Sequence, residues 1–312
     1  MNLSPATARH AVLAAVTLLA LADTAPAQSA TATKQAPTYT RTEDVVYGRR
    51  DGLALTMDVF APTKSNGAGV VVFVSAEYRS DRHLLALLHP LATTPFLDRG
   101  YTVFAVMHGS QPKYTVPEVV EDAHRAVRFV RHHAKKYGVD PEKLGATGGS
   151  AGGHLSLMVG CAGRPGDPNA LDPVERQSSK VAAVACFFPP TDFLALEGSC
   201  TKEQAAPFDF RELDAATGKF VAVTPERRRE IGREVSALTH AARGAAPTLI
   251  IHGDKDKLVP LTQSEAMVAR LKDCGVTCEL VVRAGRAHFG PWVAGDVPTL
   301  AGWFDAHLLG KP

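Results

Sequence analysis

A serine crowded by glycines sits near the middle of this chain: Gly148-Gly149-Ser150-Ala151-Gly152, in the frame TGGSAGGH from Thr147 to His154. A serine hydroxyl is a poor nucleophile until a base takes its proton, and the base needs a carboxylate to fix its tautomer. G-x-S-x-G is the pattern of a strained strand-to-helix turn that holds the serine out where a substrate can reach it. Bulky side chains beside such a turn would clash, so glycines two residues to either side are expected. The flanks agree: LGAT before it reads as a strand and HLSLMVG after it suits a helix. Ser150 would then lie at the carboxyl end of a strand, where open α/β sheets bind ligands. The competing reading is an ordinary glycine-rich turn, and partners must decide.

Two later stretches supply partners in the order serine, acid, histidine. HGDKDKLVP (252–260) follows an apolar strand and offers Asp254 and Asp256. RAGRAHFG (283–290) follows the next strand and offers His288. Acid and base therefore fall just past strand ends, on the same sheet edge as Ser150. Spacing and chemistry alone do not separate Asp254 from Asp256. His154, four residues after the serine, reads as helix packing. His252, at a strand end, and His108 read as structural.

The elements that must position these residues follow from apolar periodicity. LALTMDVF (53–60) alternates and reads as an antiparallel strand. VVVFV (70–74), YTVFAVM (101–107), VAAVACFF (181–188), TLIIHG (248–253) and ELVVRA (279–284) read as buried strands. Residues 83–98 are helix-like, with breaks at Pro90 and Pro95. PEVVEDAHRAVRFVRHHAKKYG (117–138) is the clearest helix, with acids at its start, bases at its end and one apolar face. His124, His132 and His133 read as its surface residues. SEAMVARLKDCG (264–275) is a helix between the last two strands. Repeated strand–helix–strand units imply a mostly parallel sheet covered on both faces. A polar stretch, about 191–246, reads as an insertion with a short helix near 225–235. Its Phe208, Phe210 and Phe220 are candidates to line an acyl pocket.

GGSAGGHLSL, HGDKDKLVP and the late histidine together resemble the α/β-hydrolase superfamily. Within it the chain resembles carboxylesterases of the hormone-sensitive-lipase and feruloyl-esterase-like (BD-FAE-type) group, over roughly residues 43–309. The resemblance implies an α/β-hydrolase fold with a lid-like insertion and a serine esterase that needs no cofactor or metal. It implies Ser150 as nucleophile, Asp256 as acid, since that residue matches the D of H-G-x-x-D-x-x-V-P, and His288 as base. Asp254 then becomes a loop-capping acid, accepting N–H bonds from the turn after it. An oxyanion hole is implied as well, with Ala151 N–H as one donor. The second donor comes from the loop after VVVFV, which reads H-G-G-G in these esterases and SAEYRS (75–80) here. That leaves Ala76 or Glu77 to donate without glycine's conformational freedom. The Glu77 carboxylate would also bring negative charge near a developing oxyanion. A prolyl-oligopeptidase-like peptidase and a non-catalytic binding domain are the alternatives.

Composition bounds the rest. The 312 residues are 45% hydrophobic, enough for a sizeable core. Lys plus Arg number 34 against 32 Asp plus Glu, with no basic stripe, so nothing points to a nucleic-acid partner. Residues 1–27, with the apolar run AVLAAVTLLALA and Ala25/Ala27 as an A-x-A site, read as a signal peptide. An uncleaved anchor is the competing reading. Residues 28–42 read as a disordered lead-in and 43–312 as the hydrolase domain, secreted or periplasmic and not inserted in a membrane after signal removal. A small-molecule or polysaccharide-linked ester is the expected partner. Of the five cysteines, Cys274 and Cys278 flank a turn and could pair, and Cys186 reads as core. In the loop CAGRPGDPNALDP (161–173), Asp167 and Asp172 read as turn caps rather than calcium ligands.

Overall fold

Short apolar runs become the inner strands of an eight-stranded sheet in this computed structural model, which describes residues 38–199, 210–214 and 216–311. They are β3 (Gly69–Phe73), β4 (Thr102–Val106), β5 (Leu144–Gly149), β6 (Ala183–Phe187) and β9 (Thr248–Gly253), buried but for the end of β5. Coverage on both faces is why such strands read as unbroken apolar stretches. With β1 (Tyr39–Arg50), β2 (Leu53–Pro62) and β10 (Cys278–Arg283) the order is β1-β2-β4-β3-β5-β6-β9-β10. β2 runs antiparallel to β1 and β4; the other pairs are parallel.

Four longer helices cover the sheet: α3 (Val116–His132), α4 (Ala151–Cys161), α8 (Leu261–Asp273) and α9 (Trp292–Leu309). Alternate residues of each strand face opposite sides. Val71, Phe73, Phe104 and Val106 join α3 and α4 in one core; Val70, Val72, Val103 and Ala105 join α9 in the other. The backbone N–H of Thr115 donates to Glu118 Oε2 at 2.7 Å, half of a capping box that starts α3. Short helices α1 (Arg82–Leu88) and α2 (Thr94–Leu97) link β3 to β4. The insertion supplies α5 (Phe193–Ser199), a hairpin of β7 (Arg211–Asp214) and β8 (Lys219–Ala222), α6 (Pro225–Glu234) and α7 (Ala237–His240).

Several sequence expectations need correction. Ordered chain starts before residue 43: Tyr39 to Thr42 pair with β2, and Arg41 donates to Asp58 Oδ2 at 2.6 Å. An edge strand held by backbone bonds buries little, so its polar sequence looks like lead-in. Residues 1–37, including the signal reading, lie outside the described residues. β10 is an edge strand and not fully buried, with Val282 46% exposed. Pro95 sits in the first turn of α2 and starts that helix instead of breaking it. His124 is buried, with Nδ1 3.0 Å from Ser179 Oγ, because the 162–182 segment covers α3. Burial pushes its pKa down to about 3.

Cys274 and Cys278 are unpaired; their thiols face the carbonyls of Ala241 and Val268. Cys186 is buried, as expected, and Cys200 and Phe208 lie outside the described residues. Phe210 belongs to the core and Phe220 is half exposed on the hairpin. Asp167 and Asp172 each accept a backbone N–H two residues on, and Asp172 also pairs with Arg125 at 2.6 Å. Among the described residues no helix is long and apolar enough to cross a membrane.

Candidate active site

Ser150 stands between β5 and α4 with φ 54 and ψ −120, a conformation that a non-glycine residue holds only under constraint. The constraint is visible on both sides. Its N–H donates to Phe187 O at 3.0 Å, and its carbonyl accepts the His154 N–H at 2.9 Å. A Cβ on Gly148 would lie 2.5 Å from the carbonyl carbon of Gly152. One on Gly152 would run into the carbonyl oxygen of Phe73. The two glycines let α4 start against the end of β3, which aims the Ser150 hydroxyl along the carboxyl edge of the sheet.

His288, in the loop from β10 to α9, reaches that hydroxyl. Its Nε2 is 2.9 Å from Ser150 Oγ and its Nδ1 is 2.7 Å from Asp256 Oδ2. An ionised carboxylate only accepts, so Nδ1 carries the proton and Nε2 is the acceptor for the serine O–H. Asp256 follows β9 with its side chain fully buried. Oδ1 accepts from the N–H groups of Leu258 and Val259, both at 2.9 Å; Oδ2 is shared by His288 and His252, the latter at 3.1 Å. Burial by itself would raise this carboxyl's pKa. Hydrogen bonds from His252, His288 and Val259 outweigh it and hold the group well below the usual carboxylate range.

Asp254 does not cap the turn after it, a task that falls to Asp256. Its Oδ1 accepts from Gly285 N–H at 2.7 Å, and Lys255 N–H donates to Arg286 O at 2.9 Å. Asp254 thus ties the acid's loop to the base's loop.

The sequence reads His252 as structural and passes over Phe188 and Trp292, yet all three lie at the site. His252 touches the acid directly: its Nε2 faces two acceptors, Asp256 Oδ2 and Val259 O at 2.9 Å, so it must carry a proton. Its Nδ1 lies 2.7 Å from Ser264 Oγ on α8. Phe188, at φ 34, sets its ring 4.5 Å from the His288 imidazole and 5.8 Å from Trp292. Phe188 directly follows the end of β6 on the serine's edge, the one signal that could have flagged it, whereas Trp292 opens α9 beyond the loop that follows β10.

The SAEYRS segment is a tight turn. Arg79 N–H donates to Ala76 O at 2.9 Å and Ala76 N–H to Arg79 O at 3.0 Å, around Glu77 (φ 50) and Tyr78 (φ 60). Two central residues at positive φ are the pattern of hairpin turns that favour Asn-Gly. The loop therefore reaches glycine-like backbone without glycine. This removes Ala76 as an oxyanion donor, because its single N–H is already bonded within the turn. Among the described residues the amides of Glu77 and Tyr78 meet no acceptor, and the Glu77 side chain is exposed. Ala151 N–H opens α4, where first-turn amides lack intrahelical partners and the helix end is electropositive. β3 pairs with β5, Val72 opposite Thr147, so the turn and the serine leave adjacent strands.

His108 is structural, as expected: buried, it bonds Ser75 Oγ at 2.8 Å and Gly109 O at 2.6 Å, and burial lowers its pKa to about 4. A charged recess of about 570 Å³ between β1 and α3 lies apart from Ser150; there Arg50 pairs with Asp122 and Arg128 with Glu175. Among the described residues no His, Cys, Asp or Glu cluster could hold a metal ion.

A mostly parallel sheet, a serine at the strand-to-helix elbow and a histidine bridging serine and acid define the α/β-hydrolase fold. The BD-FAE family model matches residues 57–271, and the chain belongs to that family. It is 30% identical over 185 residues to the probable carboxylic ester hydrolase LipM of Mycobacterium tuberculosis, covering 59% of this chain and 40% of the relative. It is 30% identical over 242 residues to esterase LipC of the same organism, covering 75% of this chain and 56% of the relative. The chain thus spans about half the length of the curated relatives it matches. Among solved structures, the propionate-bound thermophilic esterase Est2 of Thermogutta terrifontis superposes with a TM-score of 0.67 at 27% identity, over 88% of this chain and 97% of that one.

Proposed function

We propose that the chain hydrolyses carboxylic esters through an acyl-enzyme formed on Ser150. The observation that carries the reading is His288 placed between Ser150 Oγ at 2.9 Å and Asp256 Oδ2 at 2.7 Å. In the first step Ser150 Oγ attacks the ester carbonyl while its proton passes to His288 Nε2. Asp256 holds the Nδ1 proton and stabilises the imidazolium. The oxyanion is met by the N–H groups of Ala151 and Glu77. His288 then protonates the departing alkoxide, which leaves as the alcohol. Next it takes a proton from water, whose oxygen attacks the acyl carbon. Collapse of that intermediate releases the acid and returns the proton to Ser150.

Names of relatives guide the substrate. The propionate in the Est2 structure supports short acyl esters. The apolar run and A-x-A site in residues 1–27 support export to the periplasm or beyond.

Hydrolysis of p-nitrophenyl acetate by the protein and by its Ser150→Ala variant tests the reading. Turnover by the first and background from the second is the expected result. Equal inertness of the two folded proteins, with no labelling of the wild type by a fluorophosphonate, would overturn it.

A further inference from the structure

Glycine gives a loop positive φ freely; a side chain there persists only when its surroundings hold it. Glu77 and Tyr78 occupy such positions at φ 50 and φ 60 in the turn after β3. Glu77 is exposed and does not hold itself. Tyr78 is 2% exposed, so the anchor must lie with its side chain.

That side chain ends on His154. Tyr78 Oη is 3.1 Å from His154 Nδ1, and His154 Nε2 is 2.7 Å from Val235 O. A carbonyl only accepts, so Nε2 carries the ring proton. Burial pushes the pKa of His154 down to about 4, so near neutrality the ring is uncharged and Nδ1 accepts the Tyr78 O–H. The two rings meet edge to face with centroids 5.7 Å apart, and Phe193 closes on His154 at 4.9 Å. Both ends of this link matter to one oxygen atom. Tyr78 shares the turn with the free Glu77 amide. His154 lies three residues along α4 from Ala151, whose amide starts that helix.

We propose that Tyr78, through His154, is the positioning residue of the oxyanion site and takes the place of the missing glycines. The Tyr78–His154 bond sets the gap between the Glu77 and Ala151 amides, and Val235 fixes the imidazole that receives it. The inference rests on the esterase reading, since it assigns both amides to one substrate oxygen.

Tyr78→Phe keeps the ring and its packing and removes only the hydroxyl. With p-nitrophenyl acetate, kcat should fall by about 10- to 100-fold, less than or comparable to the loss of a whole donor, with KM within about twofold. A trifluoromethyl ketone supplies a readout that a merely structural role would not move. Ser150 Oγ adds to its carbonyl, the serine proton goes to His288, and the ketone oxygen becomes an oxyanion in the same site. Its inhibition constant should rise by the factor by which kcat/KM falls. His154→Gln breaks the link from the other side, should show the same pattern, and stands in if Tyr78→Phe does not fold. A folded variant within twofold of wild type in kcat, or a fall in kcat with ketone affinity unchanged, would overturn the inference. A wild type inert toward both ester and ketone would instead overturn the esterase reading beneath it.

Discussion

Asp256 accepts four hydrogen bonds on two oxygens, and only one comes from His288. The His252 bond restrains the oxygen that orients the base. A hydrogen bond to a charged acceptor is worth about 1.5–3 kcal/mol, so its loss lets that oxygen wander. His252→Phe should therefore lower kcat/KM by about tenfold or more with the fold intact. His252→Gln, which keeps a donor, should lose less. Steady-state rates beside thermal melts check this; equal rates for the phenylalanine variant and wild type would remove His252 from the machinery. The residues in contact at the serine are the ones the motifs single out, because a nucleophile, base and acid each need a rare side chain beside a strand end. Choosing Asp256 over Asp254 took motif register. The structure shows what separates them: Asp256 reaches His288, and Asp254 spends its carboxylate on Gly285.

At the scale of elements, the elbow depends on how closely α4 approaches β3. Gly152 is the contact point, where a Cβ would meet the Phe73 carbonyl oxygen. A backbone carbonyl in a central strand cannot give way as a flexible side chain would. Gly152→Ala should cost about 1–3 kcal/mol of stability, typical of forced overpacking, and should lower activity by shifting Ser150 and Ala151 together. Urea unfolding and ester hydrolysis on the same preparation test both parts; unchanged values in both would mean that α4 can slide without consequence. Elements were legible in proportion to burial. β3, β4 and β9 carry the plain apolar signature of covered strands. β1 reads partly as lead-in because an edge strand is ordered by backbone bonds that leave no hydrophobic trace in sequence; β10 reads as buried because Leu280, Val281 and Val282 are apolar, although the sheet ends there and leaves Val282 46% exposed.

For the molecule as a whole, three buried histidines predict acid sensitivity. Burial lowers His108 and His154 to about 4 and His124 to about 3. In the unfolded chain each would titrate near its ordinary value of about 6.5. Between these limits the unfolded state binds protons that the native state refuses, so stability falls as pH falls. Each histidine contributes about 1.4 kcal/mol per pH unit, and the three together about 4, over roughly pH 6 to 4.5. Asp256 does not offset this. Its lowered pKa gives a stabilisation that is complete above the ordinary carboxylate value of about 3.9 and is lost only below it. Urea midpoints at pH 7.5, 6 and 5 should drop steeply, and a flat series would mean that these rings are hydrated in solution.

Apolar periodicity and glycine spacing are local signals, so the amino-acid sequence alone carries the layered fold and the edge where chemistry occurs. With the family's motif register added, Ser150, Asp256 and His288 are also legible there. The folded chain adds that Ala76 spends its amide inside a turn, and that Tyr78 and His154 meet from segments 76 residues apart. His124 lies buried and His252 braces the acid for the same kind of reason. Each of these depends on which distant group fills a hydrogen bond or covers a face. A polar residue's type and its neighbours in sequence carry no record of that.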